Sequence, residues 1–239
     1  MKAVILLAGH ATRMRPLSDF INKGMIPVAG RPLVEYVVRS LVRQGFQDLI
    51  IAVTRFPEQL ENYFGDGTWF DAHITYVERP DPSGTAGEVF ALRDWLDPEE
   101  SFLVHYGDIL TDLNLIAMRE QHEQTSAAAT IGFVTNFEVH TGVGELDKDN
   151  RITYFEEKPK LKLSCHAAVD IFSPKVWGYL APGRDFGYDI IPQMLAAGED
   201  VRGYLDTAAW WTDVGRLSDI EPAERLLQEV GWGQDISEE

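Results

Sequence analysis

Residues 3–18 are Ala-Val-Ile-Leu-Leu-Ala-Gly-His-Ala-Thr-Arg-Met-Arg-Pro-Leu-Ser, and residues 22–32 are Asn-Lys-Gly-Met-Ile-Pro-Val-Ala-Gly-Arg-Pro. The apolar run Val4 to Ala8 is typical of a parallel strand that is buried on both faces. Gly9 to Thr12 follows as a loop of small residues whose backbone N–H groups can come close to a ligand. This order predicts a buried strand that leads directly into a binding loop.

Basic residues are concentrated in this opening stretch. The chain has a formal net charge of -17, yet its first 34 residues hold five basic residues and the single acid Asp19. The basic residues are Lys2, Arg13, Arg15, Lys23 and Arg31. Balance against acids elsewhere in the fold is the favoured interpretation for Lys2 and Arg31. Arg13 and Lys23 flank the glycine and proline residues that form the turns, so we expect them to bind a polyphosphate.

Composition limits the class of protein. A length of 239 residues with 45% hydrophobic content suits one α/β unit. A single cysteine, Cys165, excludes an internal disulfide and, without clustered histidines, argues against a structural zinc site. The acidic balance opposes binding to nucleic acid or to an anionic membrane. Without a signal-peptide pattern or a long apolar stretch, we expect a cytoplasmic protein. We expect it to be a monomer or a homodimer.

Strand-like and helix-like segments alternate through the first half of the chain. This order predicts right-handed crossovers and a three-layer, Rossmann-like α/β fold with a mostly parallel sheet. The predicted strands are 3–8, 48–53, 74–77 and 102–106, and the predicted helices are 33–43, 58–63 and 86–95. Ligands of such sheets bind beyond the carboxyl ends of the strands, where the Gly9 loop and the Gly107-Asp108 step are expected.

The second half differs from the first, because its strand candidates have little helix between them. They are 127–134, 142–146, 152–156 and 167–172, followed by helices at 174–180, 188–197 and 218–230. The pattern predicts a small antiparallel extension that forms a lid or a second pocket wall. We therefore expect one domain over residues 1–239, with a first half (1–125), a second half (126–230) and a frayed polar tail (231–239).

Two aspartates are candidate metal ligands. Asp108 follows a buried strand and a glycine, and Asp213 stands between apolar residues and Gly215. Two carboxylates and a triphosphate would supply the oxygen ligands that Mg²⁺ prefers. An aspartate beside glycine is also a common turn former or helix cap, so each residue alone leaves both interpretations open.

Two further motifs suit a phosphorylated sugar and a nucleotide. Glu157-Lys158-Pro159 ends a strand with an acid that can accept sugar hydroxyls and a cation that can meet a phosphate, although such pairs are often solvated surface. Gly84-Thr85-Ala86-Gly87 opens a helix, where small residues let a flat base or sugar pack against the backbone. A simple helix cap at Thr85 is the alternative.

Taken in order, these segments resemble the sugar-1-phosphate nucleotidyltransferase family, also called nucleoside-diphosphate-sugar pyrophosphorylases. The family opening is usually Leu-Ala-Ala-Gly-x-Gly-Thr-Arg-Leu-Arg-Pro-Leu-Thr, followed by Pro-Lys-Pro-Met, Pro-Val and a later Pro. Here it appears as residues 6–18, then Lys23, Met25, Pro27-Val28 and Pro32. The later signatures follow in family order as Gly84-Thr85-Ala86, Gly107-Asp108, Glu157-Lys158-Pro159 and Asp213-Val214-Gly215.

The resemblance implies an enzyme that joins a nucleoside triphosphate and a sugar-1-phosphate into a nucleotide sugar and pyrophosphate, with Mg²⁺. Arg13 would grip the departing pyrophosphate, Lys23 would stabilise the α-phosphate, and Asp108 and Asp213 would hold the metal. The implied nucleotide-binding residues are Leu7, Ala8, Gly9, Ala11, Thr12, Gly84, Thr85 and Ala86. The implied residues for the sugar and its phosphate are Glu157, Lys158, His166 and Asp170. The length resembles the short, single-domain members, and the resemblance implies a nucleotide-binding half (1–125) and a sugar-binding half (126–230).

Several positions depart from the family pattern. Ala11 replaces the second loop glycine, and its methyl group would strain a backbone with positive φ. Asn22-Lys23-Gly24 replaces Pro-Lys-Pro, which removes the rigidity that presents the lysine. His166 replaces a usual asparagine and Ala168 a usual glycine. These changes bear most on the choice of sugar.

Two alternatives remain open from the sequence. One is a cytidylyltransferase for a phosphorylated alcohol such as phosphocholine, since Asp170, Trp210 and Trp211 can supply an acidic and aromatic pocket. The other is a nucleotide-sugar sensor that retains the fold without the chemistry, in view of Ala11, Gly24 and His166. Retention of both metal candidates together with Arg13 and Lys23 argues against the sensor.

Overall fold

The computed structural model describes residues 1–96, 100–135, 137–138, 141–161 and 163–232. The strands are β1 (Ala3–Leu7), β2 (Pro27–Val28), β3 (Arg31–Pro32), β4 (Asp48–Val53), β5 (His73–Glu78), β6 (Phe102–Tyr106), β7 (Ile109–Thr111), β8 (Ala129–Val134), β9 (Phe137–Glu138), β10 (Val143–Leu146), β11 (Ile152–Glu156), β12 (Lys160–Leu161), β13 (Cys165–Phe172), β14 (Val201–Asp206) and β15 (Trp211–Asp213). The α-helices are α1 (Leu33–Arg43), α2 (Pro57–Phe64), α3 (Thr85–Phe90), α4 (Leu115–Thr125), α5 (Ile191–Ala196) and α6 (Ile220–Glu229).

A seven-stranded sheet with the order β14-β8-β13-β6-β1-β4-β5 forms the centre of the molecule. Strands β6, β1, β4 and β5 pair in parallel, and so do β14 and β8. Strand β13 runs antiparallel to both of its neighbours, β6 and β8. The mostly parallel α/β fold predicted from the alternation of segments is confirmed.

Helices cover both faces of the sheet because the inner strands are apolar on both sides. In β1, Ala3, Ile5 and Leu7 join one buried cluster, while Val4 and Leu6 join the other. Helices α1, α2, α4 and α6 contribute to the first cluster, and α3 and α5 to the second. The three-layer arrangement follows from this alternation of side chains along buried strands.

The second half of the chain departs from the prediction in how its strands are placed. Strands β8, β13 and β14 extend the central sheet, and among the described residues only the β10–β11 hairpin and the short pairs form separate antiparallel sheets. Helix α4 and strand β14 were not predicted. Helix α4 presents few apolar side chains to the core, and β14 has exposed residues along its length, so both lack a clear apolar pattern.

Two helix predictions were wrong in their extent. Helix α3 ends at Phe90 and gives way to turns through Trp95, and the predicted helix at 174–180 is a short 3₁₀ segment, Pro174–Gly178. No helix in the described ranges is long and apolar enough to span a bilayer.

The start of the expected tail packs against the protein. The Trp232 ring lies 5.5 Å from that of Tyr36 and 5.9 Å from that of Trp210, centroid to centroid, and the Arg43 guanidinium lies over it. The rest of that tail, residues 233–239, lies outside the described residues. Trp232 is therefore an anchor, and not part of a frayed end.

Candidate functional site

The loop after β1 lies at the carboxyl edge of the sheet, as the sequence predicted. The Gly9 N–H donates to Thr54 Oγ1 at the end of the neighbouring strand β4, over 3.1 Å. Ala11 has φ 46° and ψ 39°, the left-handed conformation that favours glycine. The Ser18 hydroxyl donates to the Ala11 carbonyl at 2.8 Å and holds the loop in this shape. Ala11 therefore has the positive φ at which its methyl group strains the backbone.

Lys23 begins a one-turn 3₁₀ segment that is capped by its neighbour. Asn22 is buried, and its Oδ1 accepts from the Gly24 N–H at 2.8 Å. Its Nδ2 donates to the Arg55 carbonyl, and its own N–H donates to Gln59 Oε1. These hydrogen bonds fix the turn from both sides. They supply the rigidity that the absent prolines would have given to Lys23.

Gly24 is small because Leu7 occupies the adjacent space. A Cβ on Gly24 would lie 2.8 Å from Leu7 Cδ1, and a Cβ on Gly107 would collide with the same side chain. Leu7 stands where the family pattern has alanine, and its side chain is only 1% exposed. Leu7, expected among the nucleotide-binding residues, therefore packs beneath the loop and supports its shape.

Asp108 and Asp213 are brought together by two short strands. Strands β7 and β15 pair antiparallel with Asp213 opposite Ile109, and the Val214 N–H donates to the Asp108 carbonyl at 2.9 Å. Burial raises the pKa of Asp213 to about 6, and the charge of Asp108 adds to this rise. A buried carboxylate whose proton affinity is raised by a second carboxylate beside it forms, with that neighbour, a donor set that favours a bound cation.

Both predicted cations face this pair of carboxylates. Lys23 Nζ lies 2.9 Å from Asp108 Oδ2, in a partly buried ion pair. A Cβ on Gly215 would lie 3.0 Å from Asp213 Oδ1 and 3.3 Å from Arg13 Nη2, so these two side chains converge on the same backbone. Arg13 and Lys23 also lower the pKa of Asp213, against the larger effect of burial. The four residues form one charged cluster at the carboxyl edge.

The Gly84-Thr85-Ala86 turn is used inside the protein. The N–H groups of Ala86 and Gly87 donate to the Arg184 carbonyl, and the Thr85 N–H and hydroxyl donate to Asp185 Oδ1 at 3.0 and 3.1 Å. Ala86 is fully buried. The N-cap of α3 is Gly84, and Thr85 is the first residue of the helix. The alternative prediction of a cap at Thr85 is therefore wrong. The backbone donors of this helix end are already satisfied.

His166 and Asp170 form a pair in β13. The register of β13 shifts between these two residues, and Ala168 within that bulge has φ 57°. His166 Nε2 lies 2.9 and 3.0 Å from the two Asp170 oxygens, and Asp170 is fully buried. Burial acts to lower the pKa of His166, but the Asp170 carboxylate outweighs it, and the pKa is raised. Asp170 therefore acts through His166, which is partly exposed.

Glu157 and Lys158 lie at the exposed end of β11. Glu157 Oε2 would lie 2.9 Å from a Cβ on Gly142, which places the carboxylate beside the start of the β10–β11 hairpin. Lys158 has φ 48°, so the chain turns sharply there. These two side chains remain accessible to a ligand.

Three residues at the same edge were missed in the sequence. Thr54 and Arg55 follow β4 directly, and Arg79 follows β5. Arg55 lines a small cavity together with the Gly9 loop and Lys23. Their position just after a strand was the available signal, but no adjacent glycine and no recognisable motif marks these residues.

Comparison with known proteins places this geometry in a family. The nucleotidyl transferase family model matches residues 2–230. A UTP-glucose-1-phosphate uridylyltransferase of Synechocystis is 31% identical over 94% of this chain and 63% of its own length. A mannose-1-phosphate guanylyltransferase of Mycobacterium tuberculosis is 28% identical over 91% of this chain and 62% of its own length. The chain thus spans somewhat under two thirds of these relatives.

Solved structures share the fold. A putative glucose-1-phosphate thymidylyltransferase of Bacillus anthracis superposes with a TM-score of 0.79 at 23% identity, covering 98% of this chain and 97% of that one. HddC of Yersinia pseudotuberculosis gives a TM-score of 0.75 at 21% identity, over 95% and 99% of the two chains. With the match of the family model over nearly its whole length, the chain belongs to the nucleotidyl transferase family.

Proposed function

We propose that this protein is a Mg²⁺-dependent sugar-1-phosphate nucleotidyltransferase. The observation that carries the proposal is the cluster of Arg13, Lys23, Asp108 and Asp213 at the carboxyl edge of the sheet. Two cations and two carboxylates at one edge suit a substrate that is itself polyanionic and arrives with a metal ion. The relatives named for uridylyl and guanylyl transfer to sugar phosphates support the same activity.

In the proposed reaction, a phosphate oxygen of the sugar-1-phosphate attacks the α-phosphorus of the nucleoside triphosphate. A new P–O bond forms, the bond to the bridging oxygen of the β-phosphate breaks, and pyrophosphate leaves with those electrons. The attacking phosphate is already anionic, so the protein needs no nucleophile of its own. Alignment and charge neutralisation are the tasks left to the side chains.

Lys23 and Arg13 would carry the positive charge. Lys23 is held by the capped turn at Asn22 and reaches the carboxylate of Asp108. An arriving α-phosphate can take the place of that carboxylate as the partner of the ammonium group. The ammonium group then stabilises the negative charge that builds on the phosphoryl oxygens during the reaction. Arg13, beside Asp213, would hold the β- and γ-phosphates as they depart.

Asp108 and Asp213 would hold the magnesium ion. When bound, the ion would neutralise phosphate charge and help to align the reacting groups. The fit rests on the donor set, because both carboxylates lie at the same edge and the charge of Asp108 disfavours the ionisation of Asp213. The substrate phosphates would supply the further oxygen ligands.

The two halves of the domain would divide the substrates. The nucleotide would lie between the residue 8–12 loop and the turn at residues 84–85, with Leu7 and Ala86 as buried support. The sugar phosphate would lie against Glu157, Lys158 and His166, with Asp170 orienting the imidazole. Asp170 is buried and already paired, so it is not available to bind a choline headgroup directly.

Pyrophosphate release tests the proposal. The assay combines Mg²⁺, the common nucleoside triphosphates, and a panel of sugar-1-phosphates that also includes phosphocholine. We expect release for a sugar-1-phosphate, and a loss of about 10²- to 10³-fold in kcat for Lys23→Ala. Lys175→Ala, which removes an exposed lysine paired with Glu199, is the matched control and keeps full activity.

Two results would contradict the proposal. Release with phosphocholine alone would identify a cytidylyltransferase-like acceptor. Tight binding of nucleotide sugar without release in any combination would identify a sensor.

A further inference from the structure

Glu88 is a buried carboxylate that the proposed reaction does not use. Its side chain is 3% exposed, and its Oε2 accepts from Arg79 Nε at 3.0 Å. Its Oε1 accepts from the Ser83 N–H at 2.7 Å. Both partners belong to the segment between β5 and α3. Glu88 therefore fixes the position of the Arg79 guanidinium and of the segment that follows it.

The sheet places Arg79 across from the loop after β1. Leu7 pairs with Val53, and Val53 pairs with Glu78. Ala8 and Arg79 each lie one residue beyond that row, and the Arg79 N–H donates to the Val53 carbonyl at 2.6 Å. Two strand spacings, about 10 Å, separate them.

Ala8 and Arg79 face the same side of the sheet. Side chains alternate along a strand, so Ala8 lies on the side of Leu6, and Arg79 on the side of Val77. Leu6 and Val77 belong to the buried cluster that α3 covers. Thr54 lies in the same row between them, so the space above Thr54 is bounded by small residues on one flank and by a fixed guanidinium on the other.

The free edge of the guanidinium defines what it can recognise. In the described part of the chain, the contact with Glu88 uses Nε, which leaves Nη1 and Nη2 as two parallel donors. Guanine offers two neighbouring acceptors, O6 and N7, to such a pair. Adenine places a donor beside N7, and in uracil and thymine an N–H separates the two acceptors.

We propose that Arg79, held by Glu88, selects guanine, so that the triphosphate substrate is GTP. This inference rests on the proposed function and names its nucleotide. Cytosine also has two neighbouring acceptors, but its single ring fills less of the span of about 10 Å between the rows of Ala8 and Arg79.

The test is the kcat/KM for pyrophosphate release with each triphosphate. We expect GTP to be preferred over ATP, UTP, dTTP and CTP by at least about 10-fold. Arg79→Gln should lower the value for GTP by about 10- to 100-fold and change the other values less than about 3-fold. Arg202→Gln, which removes an arginine from an exposed pair with Asp200, is the matched control and leaves every value unchanged.

A second variant guards against loss of folding. Arg79→Lys keeps the positive charge beside Glu88 but lacks the two parallel donors, so it should fold normally and still lose the preference for GTP. A wild-type preference for CTP, UTP, dTTP or ATP overturns the inference while the transferase stands. An equal loss for all triphosphates in both variants also overturns it.

Direct binding separates this inference from the proposed function. Titration calorimetry with GTP, ATP, UTP and CTP, in Mg²⁺ and without sugar phosphate, reports the base preference alone. Preferred GTP binding that Arg79→Gln abolishes, together with no pyrophosphate release, would support guanine recognition and reject the transferase. No preference among the bases in binding or in turnover would reject guanine recognition.

Discussion

Two turns of small residues at the same edge of the sheet, residues 9–12 and 84–87, are used in opposite ways. The first is held by hydrogen bonds at Gly9 and Ala11, and lies beside the charged cluster of Arg13, Lys23, Asp108 and Asp213. The second has its donors consumed by Arg184 and Asp185. The same local composition therefore lines the charged cluster in one place, and in the other it forms a seam, the hydrogen-bonded contact of residues 84–87 with residues 184–185. Sequence signals for a turn do not distinguish the two.

The largest effect on stability is expected when a methyl group is added at Gly84, in the seam. Gly84 has φ 75°, and a Cβ there would collide with the Arg184 carbonyl oxygen. Gly84→Ala should destabilise the protein by about 3 kcal/mol, because both the backbone and a rigid neighbour oppose it. Chemical denaturation measures this loss.

Gly183→Ala is the control for the seam. Gly183 has φ 78° with nothing near the position of its Cβ, so this change should cost only about 1 kcal/mol. Equal costs for the two variants would show that the contact between Gly84 and Arg184 is unimportant.

The support beneath the first loop can be tested by a double-mutant cycle. Gly24→Ala places a methyl group 2.8 Å from Leu7 Cδ1 and should cost about 2 kcal/mol. In a Leu7→Ala background the space is vacant, so the same change should cost about 1 kcal/mol less. Denaturation of the four proteins gives the coupling. Additive costs would show that contact with Leu7 is not the reason why residue 24 is small.

In the charged cluster beside the first loop, the ionised carboxylate of Asp213 should lower the stability of the metal-free protein. Because the pKa of Asp213 is raised to about 6, a proton binds the folded protein more tightly than the unfolded chain. Ionisation of Asp213 therefore costs stability, and this cost is absent below about pH 4 and complete above about pH 7. Asp213→Asn should abolish catalysis but stabilise the metal-free protein at pH 7.5 by about 1 to 2 kcal/mol.

Denaturation in a chelator at pH 4 and pH 7.5 measures this difference between Asp213→Asn and the wild type. The gain should vanish at pH 4. A gain of the same size at both values would show that packing, and not charge, is responsible.

The smallest effect is expected in the first loop itself. Ala11→Gly removes a methyl group from a left-handed residue and should raise the free energy of unfolding by about 0.5 to 1 kcal/mol. Ala168→Gly, at φ 57° in the bulge of β13, should give a similar gain. Thermal unfolding measures both. A loss of stability in Ala11→Gly would indicate that the alanine methyl group makes a favourable contact.

The sequence predicts well those parts of the fold whose patterns are local. The apolar runs of β1, β4 and β6 and the amphipathic face of α1 are recognisable without tertiary information. Helix α4 and strand β14 are half exposed and lack such patterns. Their positions depend on packing against the sheet, which local composition does not encode.

The candidate site shows the same division. Arg13, Lys23, Asp108 and Asp213 were each identified from motifs, but their meeting depends on the pairing of β7 with β15. Those strands are about one hundred residues apart, and no periodicity predicts their register. The hydrogen-bonded seam of Asp185 with Thr85 depends on a contact over a similar distance. Motifs therefore predicted the members of the site, while long-range pairing determines its geometry.

Strand β13 has a consequence for how the protein is made. It separates β6 of the first half from β8 of the second, and it pairs with both. On the ribosome, strands β6, β1, β4 and β5 can assemble early, but the β6 edge stays unpaired until residue 172 has emerged. An unpaired strand edge attracts other chains. The growing polypeptide is therefore most vulnerable to aggregation between the synthesis of β6 and the arrival of β13.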